Sequence, residues 1–171
     1  RETGDAYAGW YAGECQKDVV QDVELRLYRM VNPATYATDF PASAPKLKWY
    51  KDIGEVVMHS NLASTENNLS IAFRSSTFGS GSHTLADQNS FNLLYGGKEV
   101  YYHTGYYLNF SDAHNLMSYR HTRAHNSILV DGIGQPLSTE GYGMLLRAAG
   151  GEHIGYCLGD ASHAYCGISE D

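Results

Sequence analysis

Three histidines and one aspartate are the residues of this chain best suited to moving protons or binding a metal. His83 and Asp87 stand close together, and His103 and His125 follow further along the chain. Each of them borders a short apolar run of the kind that forms β-strands. A sheet can bring such borders together, and histidine both titrates nearest to neutral pH and is the commonest metal ligand. These residues are therefore candidates for one site.

Arginine and tyrosine side chains near these histidines could bind an acidic sugar. Arg120 and Arg123 precede His125, and a guanidinium group can hold a carboxylate through two hydrogen bonds. The chain also has 14 tyrosines, whose rings offer a sugar an apolar face and a polar tip. The alternative is that most tyrosines fill half-buried positions on strands.

The composition is that of an ordinary globular chain. The 171 residues are enough for one domain with a core, and 43% of them are apolar. The net charge of −7 gives no basic footprint for nucleic acid. No apolar run approaches the ~18 residues of a membrane span, and no signal peptide is visible. The start at Arg1 suggests a processed product or an excised fragment.

The three cysteines, Cys15, Cys157 and Cys166, leave the redox environment open. No Cys-x-x-Cys pair is present, which argues against a zinc site built from thiolates. Cys157 and Cys166 could form one disulfide, and two buried free thiols are an equally acceptable reading.

The chain divides into a helical start, a linker and a β-rich remainder. Apolar residues recur at helical spacing from Glu14 to about Met30, and Pro33 follows the end of this pattern. Further prolines then resist regular structure, which predicts a linker. We assign residues 1–32 to the end of a helical domain, 33–48 to the linker and 49–171 to a β domain.

Short β-like runs separated by glycines fill the chain after Trp49. Gly96 and Gly97 between two of these runs predict a tight hairpin, because glycine tolerates positive φ angles. Seven such strands predict a mainly β fold, an antiparallel β-sandwich. The predicted strands are Gly54–Ser60, Leu69–Arg74, Asn89–Tyr95, Glu99–His103, Ser127–Asp131, Met144–Ala149 and His153–Leu158.

Four ordered motifs carry a resemblance to a known family. They are His83-x-x-x-Asp87-Gln88-Asn89-Ser90-Phe91, then Gly97-(x)7-Gly105-Tyr106, then Tyr119-Arg120-x-Thr122-x-Ala124-His125-Asn126 with Gly132-x-x-Gln135, and Gly159-Asp160-Ala161-Ser162-x-Ala164-Tyr165. Together they resemble the heparinase II/III-like polysaccharide lyases, of the heparinase II or oligoalginate lyase type. The resemblance runs from roughly Lys48 to Tyr165.

The resemblance implies both a fold and a function. The fold is the C-terminal, supersandwich-like antiparallel β-sandwich, preceded by one short helix of an otherwise missing α/α toroid and itself truncated. The function is that of a lyase fragment, whose parent cleaves glycosaminoglycan or alginate-type chains containing uronic acids by β-elimination. The resemblance implies an anionic polysaccharide or oligosaccharide as the partner and a periplasmic or secreted location. It also allows a homodimer. Because the family takes a catalytic Tyr and a His from the toroid, we expect the isolated chain to be inactive.

The resemblance also suggests roles for individual residues. His83 matches a catalytic histidine of the sandwich, which helps in carboxylate neutralisation or proton transfer. The alternative for His83 is a turn histidine bonded to its neighbours. We add Arg120, Arg123 and Tyr106 as expected substrate contacts.

Many members of the family hold a structural zinc, whose ligand positions correspond to Leu85, His103 and His125. Leucine cannot ligate a metal, and two imidazoles fall short of the four ligands that structural zinc normally takes. We therefore expect no cofactor, with Leu85 filling the space of the metal. The alternative is zinc at a degenerate site, with a neighbour such as His83 as the third ligand.

Two further functions remain open on the sequence. The first is a non-catalytic carbohydrate-binding or structural β-sandwich domain, which would give no unsaturated product from a uronate polymer. The second is a metal-dependent hydrolase that uses His103 and His125. The second is the weaker alternative, because the sequence offers neither a third ligand nor an obvious nucleophile or base.

Overall fold

The computed structural model describes residues 5–15, 26–27, 30–31, 39–81, 83–105, 109 and 111–165. The chain divides into two compact units, Arg1–Pro45 and Lys46–Asp171. None of the helices in these described ranges is long and apolar enough to cross a membrane.

The first unit contains one helix, α1, which spans Ala6–Cys15. Asp5 caps its start, since Oδ1 accepts hydrogen bonds from the backbone N–H groups of Tyr7 and Ala8 at 2.8 and 3.1 Å. This helix lies ahead of the predicted one. Most of the predicted segment, Glu14–Met30, lies outside the described residues.

Five antiparallel strands form the larger sheet of the second unit, and they pair in chain order. The predicted hairpin is confirmed, because Tyr95 pairs with Lys98 and the two glycines between them have φ angles of 58° and 75°. The strands are β1 Leu47–Tyr50, β2 Glu55–His59, β3 Leu69–Arg74, β4 Ser90–Tyr95 and β5 Lys98–Tyr101.

A second, two-stranded sheet packs against one face of the first. It consists of β6, Met144–Gly150, and β7, Gly155–Asp160. The approach is close: a Cβ built on Gly159 would fall 2.7 Å from the Phe73 ring, so only glycine fits there. Val56, which is fully buried, belongs to the small apolar core of the unit. The predicted fold, a mainly β antiparallel sandwich with one short helix, is confirmed.

The strand register gives the five-stranded sheet two different faces. Met58 pairs with Ile71, and Met58 lies against the β6–β7 hairpin near Gly155. Residues one position along a strand point to the opposite side. Glu55, Arg74 and Ser90 are paired in one row, out of phase with Met58 and Ile71, and therefore lie on the face away from the hairpin. That polar row is the floor of the candidate site.

One predicted strand is wrong. Residues 127–131 form no strand, and Val130 and Ile133 instead exchange backbone hydrogen bonds of 3.0 and 2.8 Å across a tight turn. Asp131 and Gly132 take φ angles of 52° and 79°, the conformation that an Asp-Gly pair favours in two-residue hairpin loops. The local turn chemistry therefore overrides the β-propensity of the apolar run.

The remaining strand predictions are confirmed to within two residues at each end, and one strand was missed. The missed strand is β1. It begins at Leu47, so its first two residues fall in the segment 33–48 that the sequence predicts as a linker. Its four residues are too few to show a pattern of their own. Its pairing with β2, Leu47 with Met58 and Tyr50 with Glu55, is what makes it a strand.

A buried polar network ties the loop before β4 to the segment that follows β5. The Gln88 backbone N–H donates to Oε1 of Gln135 at 2.8 Å. Nε2 of Gln135 donates to the Gln88 carbonyl at 2.8 Å and to the Tyr165 hydroxyl at 2.9 Å. That hydroxyl donates to the carbonyl of Ile128 at 2.6 Å. These bonds fix two loops that border the candidate site.

Candidate functional site

A groove of about 390 Å³ lies over the polar row of the five-stranded sheet. Strands β2, β3 and β4 form its floor, and its walls come from the loop before β4, the end of β5 and the segment around His125. These are separate segments of sequence, which the sheet brings to one place. The lining residues are Glu55, Ala72, Phe73, Arg74, His83, Thr84, Leu85, Asp87, Ser90, Asn92, Tyr102, His103, His125 and Asn126.

The floor carries a three-membered charge cluster. Nη1 of Arg74 lies 2.9 Å from Oε1 of Glu55, and Nε of Arg74 lies 3.2 Å from Oδ1 of Asp87. The Asp87 side chain is 10% exposed. Burial raises the pKa of Asp87, and the nearby Arg74 guanidinium opposes that rise. A buried acidic side chain is thus paired with an arginine on the floor of the groove.

His83 stands exposed on the loop that forms one wall of the groove. The buried Arg120 side chain binds the backbone of this loop. Its Nη2 donates to the carbonyls of Ser80 and Thr84 at 2.9 and 3.2 Å, and its own carbonyl accepts from the Ala86 N–H at 2.9 Å. Arg120 is only 6% exposed. In this structure Arg120 therefore positions the loop that carries His83.

His103 and His125 lie together at the other side of the groove. Their ring centroids are 6.2 Å apart, which confirms the expectation that they are close in space. Nε2 of His125 lies 3.0 Å from the Tyr119 carbonyl and donates to it. Burial lowers the pKa of His125 to about 4, so its ring is neutral near pH 7. Nδ1 of His103 lies 3.0 Å from the carbonyl of Gly105.

The donors of the groove do not fit the structural zinc that the family resemblance implies. Within the described ranges, no group of three or more His, Cys, Asp or Glu side chains could hold a metal ion. Leu85 lines the groove at the position of the missing ligand. His103 and His125 supply only two of the four ligands that structural zinc normally takes. The expectation that no zinc is tightly bound stays a prediction, with zinc at a degenerate site as its alternative.

Of the three predicted substrate contacts, the two that the structure describes, Arg120 and Arg123, do not line the groove. Nε of Arg123 donates to Nδ1 of His121 at 3.2 Å, and neither residue is part of the groove lining. Arg120 is buried under the wall. Tyr106 lies outside the described residues. The three contacts therefore stay predictions.

Sequence reasoning missed several residues of the groove, above all Glu55, Arg74 and Tyr102. The ring of Tyr102 lies on that of His103, with centroids 4.3 Å apart. Glu55 is the first residue of β2 and Arg74 is the last residue of β3, and both strands have apolar interiors. This position at a strand end is the only local signal that marks them. Their meeting depends on the β2–β3 register, which no single segment reveals.

Comparison with known proteins identifies the family. The description "Heparinase II/III-like, C-terminal" matches residues 42–155. The chain belongs to the heparinase II/III-like family. The resemblance seen in the sequence is thereby confirmed at the level of the family. A search of curated proteins gave no match.

Two solved structures resemble this heparinase II/III-like domain in fold. A heparinase III gene product with methylated lysines is 11% identical, with a TM-score of 0.56 over 90% of this chain and 22% of that chain. A crystal structure of heparinase III is 17% identical, with a TM-score of 0.51 over 70% of this chain and 19% of that one. This chain thus spans about a fifth of either protein.

Proposed function

We propose that this domain is the β-sandwich part of a polysaccharide lyase that cleaves uronic-acid-containing chains of the glycosaminoglycan or alginate type by β-elimination. One observation carries the proposal. In a heparinase II/III-like domain, a single groove collects His83, Arg74 and Tyr102 from three separate segments. These side chains can transfer a proton, bind an anion and stack on a sugar ring.

The chemistry of β-elimination gives His83 a defined task. A base removes the proton from C5, the electron pair forms the C4–C5 double bond, the C4–O4 bond breaks, and O4 takes a proton. The C5 proton is only weakly acidic until the neighbouring carboxylate is neutralised. An imidazole on an exposed loop at the groove wall can neutralise that carboxylate by hydrogen bonding or transfer a proton. We assign one of these two roles to His83.

The proposal extends to the surroundings of the enzyme. We expect the remaining catalytic groups to come from a helical α/α toroid domain, because the family resemblance implies one. This chain spans only about a fifth of the heparinase III structures. An anionic polysaccharide is too large and too charged to cross a membrane unaided, which supports a periplasmic or secreted enzyme. A homodimer remains part of the proposal.

A non-catalytic carbohydrate-binding domain is the second candidate function. One observation favours it: Tyr102 is 41% exposed and presents its ring at the edge of the groove beside His103. An exposed aromatic ring of this kind binds the apolar face of a sugar without any chemistry.

The first test of the proposed function is an elimination assay. The purified chain, and a longer protein that also carries the helical domain we expect ahead of it, are incubated with heparan sulfate, heparin, chondroitin and alginate. The unsaturated product is followed by its ultraviolet absorbance. We expect turnover of at least one polymer by the longer protein and none by the chain alone, because catalytic groups that act as a unit fail together. Binding without any product from the longer protein would favour the second candidate.

The metal content of the groove is a separate prediction. Protein purified without added metal is expected to hold well under one zinc per chain. Leu85→His adds a third imidazole beside His103 and His125 and is expected to raise zinc affinity by about 10-fold or more, since even outer-shell partners are worth 10–100-fold. Elemental analysis and competition with a chelator measure both quantities.

Leu158→His is the matched control for this experiment, because Leu158 is 49% exposed on β7, outside the groove lining. It should leave zinc affinity unchanged. One tightly bound zinc per chain in the unaltered protein would show that other ligands complete the site. In that case our reading of Leu85 is wrong.

A further inference from the structure

Arg74 is the only lysine or arginine among the described residues that line the groove. It lies on the floor, at the end of β3, opposite Glu55 of β2 in the strand register. Its side chain is 24% exposed. An anionic sugar in the groove would therefore contact the positive charge of Arg74. No sequence motif marks this arginine.

Two carboxylates hold the Arg74 guanidinium in one orientation. Glu55 binds Nη1 at 2.9 Å from the neighbouring strand, and Asp87 binds Nε at 3.2 Å from the loop before β4. The two contacts therefore connect Arg74 to two separate segments of the chain. An arginine side chain fixed in this way loses little conformational entropy when it binds a ligand.

The hydrogen bonds of Arg74 leave part of its donor capacity unused. A guanidinium group has five N–H donors. The contacts with Glu55 and Asp87 engage one donor on Nη1 and the donor on Nε. Within the described part of the chain, Nη2 makes no hydrogen bond. A purely structural ion pair does not require a partly exposed guanidinium in a groove with its second amino group unengaged.

We propose that Arg74 determines substrate specificity by binding the carboxylate of a uronic acid through its unengaged N–H groups, while Glu55 and Asp87 hold it in place. This inference rests on the proposed function, in which the groove takes a uronate chain. The flanking carboxylates cancel most of the charge of Arg74 at long range. Recognition therefore depends on a planar carboxylate placed against the N–H edge, not on a general attraction for polyanions.

Binding measurements on the chain itself test this role separately from catalysis. The probes are a hexasaccharide of alternating glucuronate and N-acetylglucosamine and the same hexasaccharide with its carboxyl groups reduced to alcohols. Arg74→Gln combined with Asp87→Asn removes the guanidinium without leaving a buried carboxylate unpaired. We expect this double variant to bind the uronate probe about 10- to 100-fold more weakly, the value of one strong charge-assisted contact. Binding of the reduced probe should stay unchanged.

Two further variants complete the design. Arg147→Gln, on exposed β6 outside the groove, is the control and should bind both probes normally. Arg74→Lys keeps the charge and loses the planar fork, so it should also lose affinity for the uronate probe. Thermal unfolding shows which variants fold. If the double variant does not fold, Arg74→Lys decides the question by the same comparison.

The outcomes separate this inference from the proposed function. If the double variant binds the uronate probe more weakly and the reduced probe normally, the inference is supported even without any elimination product. In that case only the lyase proposal fails. The role of Arg74 would be overturned if the double variant lost affinity for both probes equally or kept its affinity for the uronate probe. It would also be overturned if the unaltered chain bound the two probes equally or bound neither.

Discussion

Replacing His83 by alanine is expected to lower kcat/KM of the proposed lyase by on the order of 10²-fold or more, the scale of a lost acid–base or charge-stabilising group. The loss should lie mainly in kcat, because His83 is proposed to act on the transition state. Folding should be preserved, since His83 is exposed on a loop whose position is set by Arg120. Steady-state kinetics with the best uronate polymer and the melting temperature measure the two effects.

His153→Ala is the matched control for the His83 experiment. The His153 side chain is 85% exposed and stands outside the groove lining. It should change neither kcat nor the melting temperature. A His83→Ala enzyme with the kinetics of the unaltered protein would remove His83 from the site and would leave the resemblance in sequence without a catalytic counterpart.

Replacing Gln135 by leucine is expected to lower the free energy of unfolding by about 2–4 kcal/mol. The change removes two buried hydrogen bonds to the Gln88 backbone and one partly buried hydrogen bond to the Tyr165 hydroxyl. It leaves the buried N–H of Gln88 without its acceptor, and an unsatisfied buried group alone costs about 1–3 kcal/mol. Urea unfolding of the chain, with the midpoint and slope compared between variants, measures the loss.

Asn67→Leu provides the comparison for Gln135→Leu. Asn67 is an exposed amide whose side chain makes one long hydrogen bond, 3.4 Å, to Ser64. Exposed substitutions of this kind usually change stability by less than about 0.5 kcal/mol. If both variants unfold at the same urea concentration, the network around Gln135 contributes nothing to stability, and the two loops must be held in another way.

Local patterns were enough to predict much of the β domain. The Tyr95-Gly96-Gly97-Lys98 hairpin could be read directly, because its glycines take positive φ angles that few other residues tolerate. Strands β2, β3, β4, β6 and β7 were predicted from short apolar runs between turn residues. Residues 127–131 show the limit of this reasoning, since an Asp-Gly turn ended an apolar run that otherwise resembles a strand.

The sequence by itself determined the family, the β-rich fold and the histidines of the groove, because motif residues and strand patterns are local properties of the chain. Only the tertiary structure decided which charged groups join them. Glu55 and Arg74 meet through the register of β2 and β3, and Asp87 reaches Arg74 from a separate loop. Arg120, a predicted substrate contact, lies beneath the wall of the groove, where it donates hydrogen bonds to the carbonyl groups of Ser80 and Thr84. Register and burial arise from pairings between separate segments, so the residue spacing within one segment does not reveal which charged groups will meet.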